Sequence, residues 1–210
     1  MPELKNGNWA LWVIWIFNIS ALIGISLGFE AWFVAKTPIN LVISSILLFL
    51  VFPIDTRKKT AVFALLWILG MLAEWVGVKY GILFGTYEYG ANLGPKLDGV
   101  PYLIGVNWAL LSLITARLAQ YLLKKSALQL IFAALLMLVL DFFMEQSAPR
   151  FDFWEFEQGI VPLSNYICWL AVALIFQFII HRTKITGDLK FSAHLYVAQL
   201  VFFLYFFLWF

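Results

Sequence analysis

The chain has 210 residues, of which 63% are hydrophobic and 12% charged, whereas soluble domains are about 45–50% apolar and about 25% charged. This composition excludes an ordinary soluble domain and is typical of an integral membrane protein. The net charge of +2 is too small to indicate a nucleic-acid partner. The single cysteine, Cys168, excludes an internal disulfide and a metal site built from cysteines.

Seven apolar segments are long enough to cross a membrane, which takes roughly 20 residues per helix. They cover about residues 9–29, 38–54, 60–82, 102–123, 126–145, 163–181 and 190–209. The second segment is short, so it is either a tilted span or a partly re-entrant one. The chain leads directly into the first span without a small-residue cleavage site, so no cleaved signal peptide is expected. We therefore predict an all-α bundle of about seven transmembrane helices, forming a single domain over residues 1–210.

Lysine and arginine are divided unequally between the two ends of these spans. Ten of the 14 basic residues fall on the side of the N-terminus. Because cytoplasmic connections carry the excess of basic residues, we predict a cytoplasmic N-terminus and an outer C-terminus, in a bacterial inner membrane. The two longer connections, at about 83–101 and 146–162, then face outward; they are rich in Gly, Pro, Tyr, Trp and acidic residues.

The polar residues inside the predicted spans share one depth. With a rise of about 1.5 Å per residue, Glu74 lies roughly 9 Å inside the outer end of the third span, and Asp141 lies roughly 8 Å inside that of the fifth. Glu145 follows Asp141 by four residues, so both carboxyl groups lie on one helix face. The amide and indole residues expected at similar depth are Asn107, Trp108, Asn165 and Trp169. Ionisable residues inside a membrane are costly and are functional by default, so this shared depth predicts a site rather than a structural polar network.

Three glycines spaced four apart, Gly77, Gly81 and Gly85, precede a pair of tyrosines, Tyr87 and Tyr89. Small residues at this spacing let helix backbones approach closely. We predict that the glycines form a packing face for a neighbouring helix; the alternative is that they leave space for a ligand.

Several function classes lack their required residues. Residues 191–210 contain no lysine, which excludes a retinal Schiff base in the last helix. Phosphate-binding loops, dinucleotide fingerprints and HExxH motifs are absent from the sequence, and His181 and His194 lie far from the carboxylates. A proton-coupled transporter would need polar residues through both halves of the membrane, and polarity is expected in one half only. These exclusions favour acid–base chemistry without metal or cofactor, or binding, in the outer third of the membrane.

Five stretches of the chain resemble the carotenoid biosynthesis membrane protein family. They are EWVGVKYGILFGTYEYG (74–90), GPKLDGVPYLIGVNW (94–108), LDFFME (140–145), FW (153–154) and GIVPLSNYICW (159–169). The resemblance covers roughly residues 60–182 and is most specific from Glu74 to Trp108. The characterised members of this family are carotenoid hydratases, which add water across the terminal double bond of an acyclic ψ end group, as in γ-carotene or lycopene. Archaeal relatives act on bacterioruberin precursors.

The resemblance implies a cofactor-independent hydro-lyase whose substrates are water and a carotenoid that enters from the lipid. Protonating an alkene carbon needs an acid shielded from water, and a shielded carboxyl group can stay protonated. Aromatic faces then stabilise the carbocation by about 0.5–2 kcal/mol each, and a base takes a proton from the attacking water. The candidate catalytic residues are Glu74, Asp141 and Glu145. The candidate substrate-binding residues are Tyr87, Tyr89, Asn107, Trp108, Trp154, Asn165 and Trp169.

The spacing does not decide which carboxyl group is the acid. We favour Asp141, because a second charge on Glu145 one turn away disfavours its ionisation. Glu74 would then orient or deprotonate the water, beneath a lid containing Tyr87 and Tyr89. A different class remains open: a non-catalytic carotenoid-binding or complex-organising membrane protein, whose polar cluster grips a hydroxylated end group. Other membrane enzymes of the carotenoid pathway are candidate partners.

Overall fold

The computed structural model describes residues 7–209. Within them, seven helical segments are long and apolar enough to cross a membrane, which confirms the predicted all-α transmembrane bundle. The helices are α1 (Asn8–Ser26), α2 (Glu30–Val34), α3 (Thr37–Val51), α4 (Arg57–Tyr80), α5 (Tyr102–Leu122), α6 (Ser126–Ser147), α7 (Leu163–Thr183) and α8 (Leu189–Trp209). The strands are β1 (Tyr87–Tyr89), β2 (Lys96–Leu97), β3 (Val100–Pro101) and β4 (Trp154–Phe156).

The second span begins earlier than predicted. α2 and α3 follow one another through a short turn at Ala35 and Lys36, and together they form a 22-residue segment, Glu30–Val51. Pro38 lies in the first turn of α3, where its missing N–H removes no helical hydrogen bond. The span is therefore long enough to cross fully.

α5 is the central helix of the bundle. In its most apolar 18-residue stretch 72% of the residues are buried, against 22–33% in the other six spans. Its closest neighbour is α4, and glycines make that approach possible. A Cβ atom on Gly70 would lie 2.9 Å from the Cβ of Trp108, and one on Gly105 would lie 2.6 Å from the Cγ of Met71.

The predicted glycine packing face is wrong, because the three glycines face the two long connections rather than another helix. Gly77 and Gly81 contact the connection after α4, and Gly85 contacts Phe156 and Pro162 in the connection between α6 and α7. A Cβ on Gly77 would lie 2.8 Å from the hydroxyl oxygen of Tyr87 and 2.9 Å from the ring of Phe84. Gly81 ends α4 with φ of +64°, in the left-handed conformation common after helices. Gly85 lies beyond the helix, with φ of +110°. The absence of a side chain at Gly77 therefore leaves space for Tyr87.

The two long connections join to form one cap, residues 81–101 and 148–162, which we call the lid. β1 and β4 pair in antiparallel register, with Tyr87 opposite Phe156 and Tyr89 opposite Trp154. The carboxylate of Asp152 accepts a hydrogen bond from the backbone N–H of Ala91 at 2.8 Å. The pairing places aromatic side chains from both connections on the same buried face.

The half of the bundle away from the lid also contains buried polar residues, although the sequence predicts polar residues in the other half only. The amide of Gln177 on α7 donates to the carbonyl of Ser112 and to the hydroxyl of Thr115, both at 3.1 Å. Ser112 and Thr115 are fully buried on α5. These groups satisfy one another, so they tie α5 to α7.

Candidate active site

Glu74 receives hydrogen bonds from three aromatic side chains. Its Oε2 atom accepts from the hydroxyl of Tyr87 at 2.5 Å and from that of Tyr89 at 2.6 Å. Its Oε1 atom accepts from the indole N–H of Trp108 at 2.7 Å. Because α4 carries Glu74, α5 carries Trp108 and the lid carries the tyrosines, this carboxylate joins two helices to the lid.

The two lid tyrosines are held as hydrogen-bond donors. Burial, followed by the adjacent charge of Glu74, raises the pKa of Tyr87 and of Tyr89 well above the usual range. The ammonium group of Lys96 donates a hydrogen bond to the backbone carbonyl of Tyr89, which helps to hold β1 in place. Both phenols therefore keep their protons at physiological pH and stabilise negative charge on Glu74.

Glu145 receives one donor on each carboxylate oxygen. The indole N–H of Trp154 donates to Oε2 at 2.6 Å, and the amide of Asn165 donates to Oε1 at 2.9 Å. Trp154 belongs to the lid and Asn165 to α7, so Glu145 joins α6 to both. This arrangement parallels that of Glu74 on the opposite side of the site.

Asp141 differs from the other two carboxyl groups. It is fully buried, and neither of its oxygens has a hydrogen-bond partner among the described residues. The amide of Asn165 lies close to Asp141, but its geometry forms a hydrogen bond with Glu145 only. A buried polar atom without a partner is costly, so we expect the carboxyl group of Asp141 to bind a water molecule or a ligand, or to be protonated.

The three carboxyl groups line one small cavity beneath the lid. Its volume is about 20 Å³, enough for about one water molecule. Its lining is Glu74, Phe84, Tyr87, Tyr89, Ile104, Asp141, Met144, Glu145, Trp154, Phe156, Asn165 and Trp169. The unpartnered oxygens of Asp141 therefore lie where a single water molecule fits, among aromatic rings.

Two stacked indoles form a rigid aromatic wall at this site. The rings of Trp108 and Trp169 have centroids 3.7 Å apart and planes 19° apart. Trp108 is fixed by its hydrogen bond to Glu74, and Trp169 faces the cavity. The wall presents a polarisable surface to any positive charge that develops there.

Residues 34–210 match the sequence profile of a family that is described as carotenoid biosynthesis protein. The chain belongs to the carotenoid biosynthesis protein family. Bisanhydrobacterioruberin hydratase from Haloarcula japonica is 28% identical over 152 residues, which are 67% of this chain and 52% of that protein. The chain thus spans about half the length of this curated relative. No solved structure matches the chain. The family places the chain in carotenoid biosynthesis.

Most of the site residues predicted for this family member lie together. The three carboxyl groups, both tyrosines, Trp154, Asn165 and Trp169 line the small cavity, and Trp108 donates to one of those carboxyl groups. Asn107 does not join them. It faces a second, larger cavity of about 390 Å³.

Four residues of the small cavity were not predicted: Phe84, Ile104, Met144 and Phe156. Two of them had a signal in the sequence. YEY at 87–89 and WEF at 154–156 share an aromatic–acid–aromatic pattern, whose alternation predicts two paired strands with their aromatic side chains on one face. Met144 is three residues after Asp141 and so lies on the same face of α6.

Proposed function

We propose that this protein is a carotenoid hydratase, a cofactor-independent hydro-lyase. It adds water across the terminal double bond of an acyclic ψ end group and forms a tertiary alcohol. One contrast among the three carboxyl groups carries the proposal. Asp141 has no hydrogen-bond donor among the described residues, whereas Glu74 and Glu145 accept five hydrogen bonds between them. All three line a cavity of about 20 Å³. One carboxyl group is thus available as a proton donor, and two are held as acceptors.

In the first step Asp141 donates its proton to the double bond. The O–H bond of the carboxyl group breaks, and the π electrons of the alkene form a new C–H bond at the less substituted carbon. Positive charge is left on the carbon that carries two methyl groups. Glu74 and Glu145 accept hydrogen bonds from fixed donors, so both are suited to remain negative while Asp141 gives up its proton.

The carbocation is then stabilised by its surroundings. The stacked rings of Trp108 and Trp169 offer an aromatic face, worth about 0.5–2 kcal/mol for each ring that contacts a cation. Negative charge on Glu74 and Glu145, stabilised by their hydrogen-bond donors, would act at short range in a site shielded from bulk water, where electrostatic stabilisation is strongest. The same shielding limits loss of the cation to side reactions.

Water attacks the cation in the second step and loses a proton to a carboxylate. A carboxylate has about four acceptor positions; three are occupied in Glu74 and two in Glu145. We therefore assign the base to Glu145, a change from the assignment of Glu74 made on the sequence. Because Glu145 and Asp141 lie one turn apart on α6, a water between them returns the proton and resets the acid.

We also propose the membrane in which the reaction takes place and the routes by which carotenoid and water reach the site. The carotenoid enters from the lipid phase of a bacterial inner membrane, and water enters through the lid side. That side faces outward if the N-terminus is cytoplasmic and the C-terminus is outside. Other membrane enzymes of the carotenoid pathway would supply the substrate and take up the product.

Co-expression with a pathway that makes lycopene or γ-carotene tests this function. We expect new pigments heavier than the substrate by one water for each end hydrated, with tertiary hydroxyl groups, and none when Asp141→Asn replaces the natural chain. If the protein instead co-purifies with unchanged carotenoid and no alcohol forms, it is a carotenoid-binding protein and the hydratase proposal fails.

A further inference from the structure

The larger cavity lies directly beside the carboxylate site. We call it the chamber: a space of about 390 Å³ enclosed mainly by α1, α2, α3, α8 and the lid. This volume lies in the range of pockets that bind small molecules, about 300–1,000 Å³. Lys36 is the charged residue of its lining, and it lies exposed at the rim, 5.4 Å from the ring centroid of Trp32. The interior is largely apolar, so an uncharged, mostly hydrocarbon ligand fits it.

The chamber opens through the flank of the bundle. Phe17 and Ser20 belong to its lining, and both are exposed on the side of α1. Both positions lie inside a span of 19 residues, so this flank faces lipid rather than water in a membrane. The lining follows α1 from Phe17 to Ile25, a rise of about 12 Å. An elongated, apolar space with a lateral opening suits a chain that arrives from the bilayer.

Three side chains separate the chamber from the carboxylate cavity. Ile104, Met144 and Trp154 line both spaces. Trp154 is fixed by its hydrogen bond to Glu145, and Ile104 is β-branched and therefore stiff. Met144 is unbranched and flexible, the kind of side chain that repacks at low cost. It also lies one turn from Asp141, so it is the movable part of the partition.

We propose that the chamber binds the acyclic hydrocarbon chain next to the reacting end group, and that the end group displaces Met144 to reach Asp141, because the cavity of about 20 Å³ has space for only about one water molecule until Met144 moves. The proposal rests on the hydratase function proposed above, and it names the part of the protein that holds the substrate. It also gives a physical reason for acyclic selectivity. A narrow chain end has to displace only one flexible side chain, whereas a wider cyclised end group would also have to displace Ile104, which is stiff, and Trp154, which is hydrogen-bonded to Glu145.

Filling the chamber tests the proposal. Ala21 lies on its α1 wall, whereas Ile23 on the same helix is 55% exposed on the outside of the bundle. We expect Ala21→Trp to reduce lycopene bound per purified protein by about tenfold or more, because the tryptophan displaces buried hydrocarbon contacts. Ile23→Trp, the matched control, should bind lycopene normally. For the binding measurement both substitutions are made together with Asp141→Asn, so that turnover does not deplete the ligand, and for the turnover measurement each is made with Asp141 intact.

Met144→Phe gives a second, different readout. A larger, stiffer side chain in the partition should lower hydration at least tenfold, because the end group no longer passes, and should weaken lycopene binding less than Ala21→Trp does, because the hydrocarbon chain still fits the chamber. Leu41→Trp, on the chamber wall formed by α3, repeats the filling test if Ala21→Trp reduces the yield of folded protein.

The possible results separate the two proposals. If the natural chain hydrates lycopene but both chamber-filling variants bind and turn it over normally, the chamber assignment is overturned and the function stands. If no hydration occurs but lycopene binds and Ala21→Trp prevents binding, the chamber is a carotenoid site and the hydratase function fails. Hydration with loss of binding on filling supports both.

Discussion

Asp141 and Glu145 lie one turn apart on α6, yet only Glu145 has hydrogen-bond donors on its carboxyl group. Trp154 and Asn165 supply those donors at 2.6 and 2.9 Å, whereas both oxygens of Asp141 have no partner among the described residues. Two carboxyl groups on the same helix face thus have different surroundings. In the mechanism that we propose, Asp141 gives a proton and Glu145 accepts one.

Asp141→Asn should abolish hydration while the protein still folds. Asparagine keeps the size of the side chain but has no acidic proton to donate. General acid groups typically contribute about 10²–10⁴-fold in rate, so we expect a loss in that range. The measurement is alcohol formed per unit of purified protein with lycopene. Near-normal turnover would place the proton donor elsewhere and refute the mechanism.

Glu145→Gln and Glu74→Gln should both lower the rate, and the larger loss is expected at Glu145. A glutamine at 145 cannot take the proton of water, although Asn165 can turn its amide and preserve the contact. A glutamine at 74 can accept from Trp108 and donate to the two tyrosine hydroxyls, so the lid stays in place. Initial rates of both variants, at matched expression, make the comparison. A larger loss at Glu74 would return the role of base to that residue.

The sequence indicated which polar residues share a depth, but not which donors reach each carboxyl group. Helical rise alone placed Glu74, Asp141 and Asn165 at one depth, and the structure brings them to one cavity. Roles depend on which donors reach each oxygen, and those donors come from β1 and β4, in connections distant in sequence. Asn107 shows the limit of depth as evidence, since it shares the depth but faces the chamber.

Gly77→Ala should disturb the lid more than the helix bundle. The added Cβ would lie 2.8 Å from the hydroxyl of Tyr87 and 2.9 Å from Phe84, and such overpacking costs about 1–3 kcal/mol. We expect reduced turnover and weaker protection of the lid from proteolysis. Gly105→Ala is the control, because its Cβ would meet Trp67 and Met71 on α4 and should lower thermal stability of the whole bundle. Equal effects of both variants on the lid would contradict this division.

The glycine spacing does not predict a packing face because its four-residue repeat continues beyond the end of the helix. Gly81 has a positive φ and ends α4, so Gly85 cannot belong to the same helix face. The glycines that bring α4 and α5 together, Gly70 and Gly105, stand alone in two different helices. No repeat within one helix reveals such a pair, because the contact depends on which helices are neighbours.

The lid should loosen in alkaline solution through Tyr87 and Tyr89. Their pKa values are raised in the folded protein, first by burial and then by Glu74, while in the unfolded chain tyrosine titrates near pH about 10. Above that pH the unfolded state releases protons that the folded state retains, so stability falls as pH rises. Below about pH 10 this contribution is fully present.

Thermal stability measured from neutral to alkaline pH tests this expectation. The double variant with Tyr87→Phe and Tyr89→Phe should be less stable at neutral pH, since each hydroxyl donates to a charged group, an interaction worth about 1.5–3 kcal/mol. Its stability should also fall less steeply above pH about 10 than that of the natural chain. Parallel pH profiles would show that the tyrosines do not control the alkaline loss.

The orientation of the bundle can be tested by labelling single cysteines. Replacing Cys168 with serine removes the natural thiol, after which Glu155→Cys places a thiol on the exposed face of the lid and Lys58→Cys places one at the other end. Because basic residues concentrate at the end that carries Lys58, we expect a membrane-impermeant reagent added to intact cells to label position 155 only. Disrupted cells, in which both positions should react, provide the control for thiol access. Labelling of position 58 but not 155 in intact cells would reverse the orientation, and water would then reach the site from the cytoplasm.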